Sequence, residues 1–394
     1  MNEKIEHLKI IKNAEVYTPE YFGKKDILIA ADKIAYIGTD IQINKDVKTI
    51  DAAGKILIPG LIDNHVHILG GGGEGGYQNR TPEIVLTDIT TAGITTVVGC
   101  IGTDGVTRTL SNLVAKAKAL DEEGISCFCY TGSYHIPLRT LMGSIQEDII
   151  FIDKIIGVGE VALSDHRSSQ PTVNEIAKIA ADARIGGILA QKAGLVVVHM
   201  GSGKSQLKII EEIVERTEIP PTQFLPTHVG RDPKLFKNAI RFAKMGGHID
   251  LTTSTPKMIK PDKLTKTSTA FKKLLEAGVP LENISFSSDG QGSLPKFNER
   301  GEFIGLKVGS IKTLFDAFRD VVLEEKIPLE KALQVVTSNP AKFLKFGNKG
   351  SIQVGKDADI VLLDKDELNV NTVIAKGQIM IEDKKVLVKG TFEN

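Results

Sequence analysis

The chain is poor in cysteine, with three in 394 residues. An odd, sparse set excludes a disulfide-stapled scaffold and points to a reducing compartment. Cys127 and Cys129 flank Phe128 on an expected strand, too close for an ordinary disulfide, so they read as reduced core thiols. Net charge is also missing: 49 basic residues balance 49 acidic ones. That balance gives no reason to expect a nucleic-acid or membrane-surface partner. No apolar run is long enough to span a bilayer. The opening Met1-Asn-Glu-Lys-Ile-Glu6 mixes acids and bases and has no apolar signal core. Together these features predict a cytoplasmic protein. No internal repeat is visible, and no low-complexity tract beyond one glycine-rich loop at residues 70–76.

What is present is a change of pattern along the chain. Residues 10–17, 24–30, 33–38 and 48–50 alternate as short strands between Gly, Asp and Asn turns. Residues 350–382 repeat that pattern. Neither end is long enough to bury a good core alone. We therefore expect residues 1–55 and 350–394 to meet in one small β-sandwich domain. Between them, residues 56–349 alternate strands and helices, the signature of a parallel α/β sheet. Candidate strands are 56–62, 94–100, 125–131, 155–160, 195–199, 224–228, 247–252 and 284–288. Helical stretches such as 173–193, 206–216 and 234–244 lie between them. Eight such strands suit a closed (β/α)8 TIM barrel.

The candidate chemistry sits at the ends of those strands. His65 and His67, one residue apart, project to one face, because strand side chains alternate. His199 and His228 each end an apolar strand, Asp289 ends another, and Glu160 a fourth. In a barrel of parallel strands the C-terminal ends form the active-site face. One polar residue there marks a strand exit; four histidines and two acids at successive exits mark a metal site. Imidazole and carboxylate suit zinc or another first-row divalent ion. Six ligands exceed one tetrahedral shell, so two ions are expected. His7 and His248 have no partner motif and read as structural.

These residues, in Gly60-Leu-Ile-Asp-Asn-His-Val-His67, with the loop Gly70-Gly-Gly-Gly-Glu74, Gly132-Ser-Tyr134, Ser164-Asp-His-Arg167, Thr227-His-Val-Gly-Arg231, and Ser288-Asp289 with Ser293, carry a resemblance. From Asn13 to about Lys376 the chain resembles the amidohydrolase superfamily, and within it the isoaspartyl (β-aspartyl) dipeptidases. The resemblance implies that His65, His67 and Asp289 hold one metal and His199 and His228 the other. A hydroxide between the ions would attack the amide carbonyl, since coordination lowers the pKa of water. Asp289 would take its proton and pass it to the leaving amine, and Tyr134 would hydrogen-bond the developing oxyanion. A homo-oligomer is also implied.

One position departs from the family. Related dipeptidases bridge their metals with a carboxylated lysine on the fourth strand; the residue here is Glu160, and Lys154 lies at the wrong end. We expect Glu160 to replace the carbamate, with no bicarbonate requirement on metal reloading. A β-Asp-X dipeptide also needs an acid for its amine and arginines for its carboxylates. Glu74 in its glycine loop serves the first, and Arg167 and Arg231 the second. Thr103, Ser293 and backbone near Gly72 add hydrogen bonds. The nearest alternatives are a dihydroorotase, a hydantoinase or an N-acyl-amino-acid deacylase. A catalytically silent scaffold would be expected to have lost ligands. The run Gly201-Ser-Gly-Lys-Ser205 hints at a phosphate loop but lacks the glycine four positions earlier.

Overall fold

A computed structural model of the chain describes residues 7–43, 47–254, 266–298 and 303–393. The opening segment read for a signal core, Met1–Glu6, lies outside the described residues. No described helix is long and apolar enough to cross a membrane.

Eight parallel strands form the barrel: β1 (Leu61–Val66), β2 (Ile94–Gly99), β3 (Ser126–Thr131), β4 (Ile155–Leu163), β5 (Val196–Met200), β6 (Phe224–Thr227), β7 (Ile249–Thr252) and β8 (Ile284–Ser287). The first six are hydrogen-bonded in chain order, β7 pairs with β8, and a bridge from Val66 to Gly290 closes the ring. Helices α1 (Leu86–Thr90), α2 (Leu110–Glu122), α3 (Ile145–Phe151), α4 (Val173–Leu189), α5 (Lys208–Arg216), α6 (Pro233–Lys244), α7 (Thr267–Glu276) and α8 (Thr313–Leu323) follow successive strands. The strand run read at 56–62 is two strands. Lys55–Pro59 pairs antiparallel with Ile360–Asp364, and the barrel strand begins at Leu61. The break falls at Gly60, where a Cβ would collide with Thr95; only glycine lets the two backbones approach.

The chain ends hydrogen-bond into one nine-stranded sheet, five strands from the N-terminal side and four from the C-terminal side. The sheet folds over into the sandwich. Lys33 bridges Asp357, and Gly377 packs against the backbone of Ala31. Ile11, Ile27, Ile29 and Ile34 share one buried core with Leu57, Ile360, Leu362 and Ile374.

Alternation positions the site. In β5, Val196 and Val198 pack outward among the helices, while Leu195 and Val197 face the barrel interior. His199 continues the inward series. Two bulges reset this parity elsewhere. In β1 the register slips between Asp63 and Val66, so Val66 packs outward and His65 and His67 turn in. In β4, Val158 and Val161 both pack outward, and Gly159 with Glu160 stands opposite the single residue Val197. That bulge aims Glu160 into the barrel, three residues before β4 ends at Leu163 rather than at the strand's last position.

Candidate metal centre and active site

Glu160 is the hub of the site and is fully buried. Its Oε2 lies 3.2 Å from His65 Nε2, 3.2 Å from His199 Nδ1 and 3.7 Å from His228 Nε2. Its Oε1 lies 3.3 Å from His67 Nε2. Asp289 Oδ1 stands 3.1 Å from His67 Nε2 and 3.7 Å from His65 Nε2. Four imidazoles and two carboxylates from five strands thus converge. His228 and Asp289 hold left-handed backbone, at φ 61° and 55°. Such strain in a non-glycine residue persists where the surroundings impose it, commonly at functional sites.

Among the described residues, several buried polar atoms here have no hydrogen-bond partner: both ring nitrogens of His65, Nε2 of His228 and Oε1 of Glu160. Unpaired buried polar atoms are costly. A divalent cation would satisfy His65 Nε2, His228 Nε2 and Glu160 Oε1, and the imidazole and carboxylate donors match one. Two groups of candidate ligands share Glu160: His65, His67, Cys100 and Glu160, and Glu160, His199 and His228. Lys154, the lysine nearest along β4, is ion-paired with Asp121 at 3.0 Å and lies over the Phe128 ring.

Charge organises the cluster. Burial alone would raise Glu160, but the imidazoles of His65 and His199 outweigh it and hold its carboxyl well below the usual range. Asp289 is likewise opposed by burial, yet His67 and the other imidazoles bring it to about 2. His65 and His67 go up despite burial, because Cys100 and the two acids surround them. His228 goes down to about 3 through burial and the nearby Arg231 charge. Burial raises the Tyr134 hydroxyl well above its usual range, leaving it a proton donor. That hydroxyl stands 2.7 Å from His199 Nδ1.

Above the cluster opens a cavity of about 350 Å³, lined among others by Gly72, Glu74, Thr103, Tyr134, Arg167, Arg231 and Ser293. Arg167 spends its fork on Asp165, at 3.0 and 2.8 Å, and gives its other terminal nitrogen to Glu74 at 3.0 Å. Thr103 donates to the same Glu74 oxygen at 2.8 Å. Arg231 reaches His199 at 3.2 Å and, among the described residues, makes no ion pair. The expectation that both arginines present a free fork thus meets a difference. Asp165 occupies the fork of Arg167, because the turn at Ser164 (φ 55°) folds Asp165 back beside it.

Sequence reading passed over Cys100, Asp165 and Arg108. Cys100 closes the run read as strand 94–100, and Asp165 sits inside a motif noted for its arginine; both signals were visible. Arg108 had none. It is buried, and it ties the glycine loop from below by donating to the carbonyls of Leu69, Gly71 and Thr81 at 3.0–3.1 Å. The glycines of the phosphate-loop-like run are used differently. Cβ atoms at Gly201 and Gly203 would strike the Ser164 carbonyl, so these residues pack against the turn after β4. Cys127 and Cys129 are unpaired and buried on the helix-facing side of β3. His248 stacks on Phe343 at 3.8 Å, away from the site.

Residues 56–380 match the family model described as the amidohydrolase family. The fold is similar to the crystal structure of a β-aspartyl dipeptidase from the thermophilic, keratin-degrading Fervidobacterium islandicum AW-1 in complex with β-Asp-Leu. The TM-score is 0.90 and the identity 49%, covering 97% of this chain and 98% of that one. A dihydroorotase from Lactobacillus gasseri is 25% identical over 417 residues, covering 91% of this chain and 90% of its own. A D-hydantoinase structure shares the fold at TM-score 0.69 and 20% identity, covering 98% of both chains.

Proposed function

We propose, from the premise that this chain belongs to the amidohydrolase family and within it to the β-aspartyl dipeptidases, that it is a metal-dependent hydrolase cleaving the isopeptide bond of β-Asp-X dipeptides. The observation that carries the reading is the cavity itself. Its lining includes the acid Glu74 and the arginines Arg167 and Arg231, with Asp104 and Arg108 paired to each other at 3.5 Å, beside an inward-facing His and carboxylate cluster. A dipeptide with one amine and two carboxylates is the substrate class those charges complement. The bound β-Asp-Leu of the Fervidobacterium enzyme, at 49% identity, supports the same choice over a cyclic ureide.

His65, His67 and Asp289 would hold one zinc, His199 and His228 a second, with Glu160 bridging them in place of a carboxylated lysine. When bound, the ions supply Lewis acidity, which polarises the scissile carbonyl and activates water. The protein's own groups do the rest. Asp289, held ionised, accepts the proton of the attacking water and delivers it to the leaving amine. Tyr134, kept protonated, donates to the oxygen that gains charge. Glu74 takes the substrate amine; its pull toward Arg167 sets it at the rim of the cavity. Arg231 takes a carboxylate directly. Arg167, clamped by Asp165, keeps one nitrogen at Glu74 and presents its charge from a fixed position. Thr103, Ser293 and the Gly72 backbone complete the polar lining.

The protein works in the cytoplasm, which its three unpaired cysteines suit. It assembles as a homo-oligomer; exposed Phe151, Ile185, Ile188 and Leu189 on adjoining α3 and α4 offer an apolar face for that contact.

The test is metal content and hydrolysis of β-Asp-Leu beside α-Asp-Leu on one purified sample. Two equivalents of metal with selective cleavage of the β-linked peptide support the reading. Metal with turnover of a cyclic ureide or an N-acyl amino acid instead would move the substrate within the family. Reloading apo-protein with zinc in bicarbonate-free buffer is expected to restore full activity, and a bicarbonate requirement would overturn the Glu160 bridge.

A further inference from the structure

Cys100 follows directly on β2, fully buried and on the interior side of the barrel wall. Its Sγ lies 3.7 Å from His67 Nδ1. The mechanism above gives this thiol nothing to do. Cys127 and Cys129, on the neighbouring strand, pack outward among the helices, which is the ordinary fate of a cysteine in a barrel wall.

Three observations set Cys100 apart. First, its sulfur and one ligand atom each from His65, His67 and Glu160 all lie within 4.8 Å of one another. Bonds from zinc to nitrogen, oxygen or sulfur run about 2.0–2.3 Å, so the ligand atoms of a tetrahedral ion stand roughly 3.3–3.8 Å apart. The sulfur stands at that spacing from His67 Nδ1, at 3.7 Å, and the four atoms together need draw in by at most about 1 Å to share one shell. Second, that space is lined by wholly buried atoms without a hydrogen-bond partner among the described residues, His65 Nε2 and Oε1 of Glu160. Third, the backbone on this side is pressed close. A Cβ at Gly102 would stand 2.9 Å from His67 Cε1 and 3.2 Å from Glu160 Oε1. Among these contacts, Cys100 offers the one sulfur donor.

We infer that Cys100 is a thiolate ligand of the metal at the His65 and His67 half of the site. The thiol proton leaves to solvent as the ion binds, and a sulfur–metal bond forms with no change of oxidation state. The two halves of the centre then differ in kind. The β1 half carries a soft sulfur donor and favours zinc, cadmium or cobalt. The His199 and His228 half, with imidazole and carboxylate alone, accepts a wider range of divalent ions. The assignment rests on the reading of the cluster as a metal site.

Cobalt(II) reloading of the chelator-treated full-length protein tests it. Bound cobalt is counted by elemental analysis, and thiolate-to-cobalt charge-transfer absorption is read in the near ultraviolet. The wild type is expected to show the band; Cys127→Ser and Cys129→Ser keep it, and Cys100→Ser loses it. Zinc-edge absorption fine structure on the unmodified protein needs no variant, and is expected to find a sulfur at about 2.3 Å. Cobalt bound in stoichiometric amount without the band, or a zinc shell without sulfur, overturns the ligand and leaves the metal site standing. No ion bound at all overturns both. A Cys100→Ser protein that keeps the band assigns the sulfur elsewhere and also refutes the inference.

Discussion

Two buried clusters of charge in this protein are built by opposite rules. At the edge of the sandwich, Lys349 sits almost out of solvent between Asp357 and Asp359, at 2.8 and 2.7 Å, and Lys33 covers the other side of Asp357. Burial alone would lower Lys349, but the two carboxylates raise it. At the barrel mouth, Glu160 is as deeply buried among four imidazoles, yet its Oε1, His65 and His228 Nε2 have no hydrogen-bond partner among the described residues. The first cluster completes itself and is structural. The second is complete only with something added, and two of its residues hold left-handed backbone as well. Unsatisfied and strained groups together separate a site from a brace.

The comparison breaks most visibly at Asp289. Asp289→Asn is expected to lower kcat/KM for β-Asp-Leu by about 10²–10⁴-fold, the scale of a lost general base, with little change in the unfolding midpoint. Steady-state kinetics beside thermal melts would show it, and an active variant would return Asp289 to a purely structural role. Lys349→Met is the converse experiment. Leaving Asp359 buried and unpaired is expected to cost about 3–5 kcal/mol in denaturant unfolding, with kcat unchanged for the protein that remains folded.

Two smaller effects sharpen the picture within the mouth. Arg231→Met is expected to raise KM roughly 10- to 100-fold with a smaller effect on kcat, the scale of a charge-assisted hydrogen bond. If Arg167→Met gave the same KM change without altering the pH profile, the division of labour between the two arginines would fail. The last concerns the support of the glycine loop. Burial would raise Asp104, but Thr107, Val106 and Arg80 hold it down to about 2, against 3.8. A depressed acid stabilises the folded state above its unfolded value and loses that contribution as pH falls through the folded value. Acid unfolding of Asp104→Asn and wild type should therefore converge between pH 3.8 and about 2, and differ above it.

Much of this architecture was legible along the chain. Strands flanking the helical patches of residues 173–244 had a clear period, and the helix-free ends marked the sandwich. Glu160, His199, His228 and Asp289 were each visible as a polar residue closing an apolar run. The boundary at Gly60 was not, because Ile56 to Ile62 is apolar throughout and periodicity cannot say where one sheet hands the chain to another. The reason for a glycine there is Thr95, more than thirty residues on.

What the sequence by itself determined is the inventory of donors and the strand that bears each one. Side-chain chemistry and the two-residue period of a strand are local properties. What the tertiary structure decided is where those donors point and whom they meet. The bulges at residues 63–66 and 159–160 turn His65, His67 and Glu160 inward. The turn at Ser164 brings Asp165 to the fork of Arg167, and the ring of strands sets Cys100 beside His67. Those relations depend on register between strands far apart in the chain, and no local pattern encodes a register.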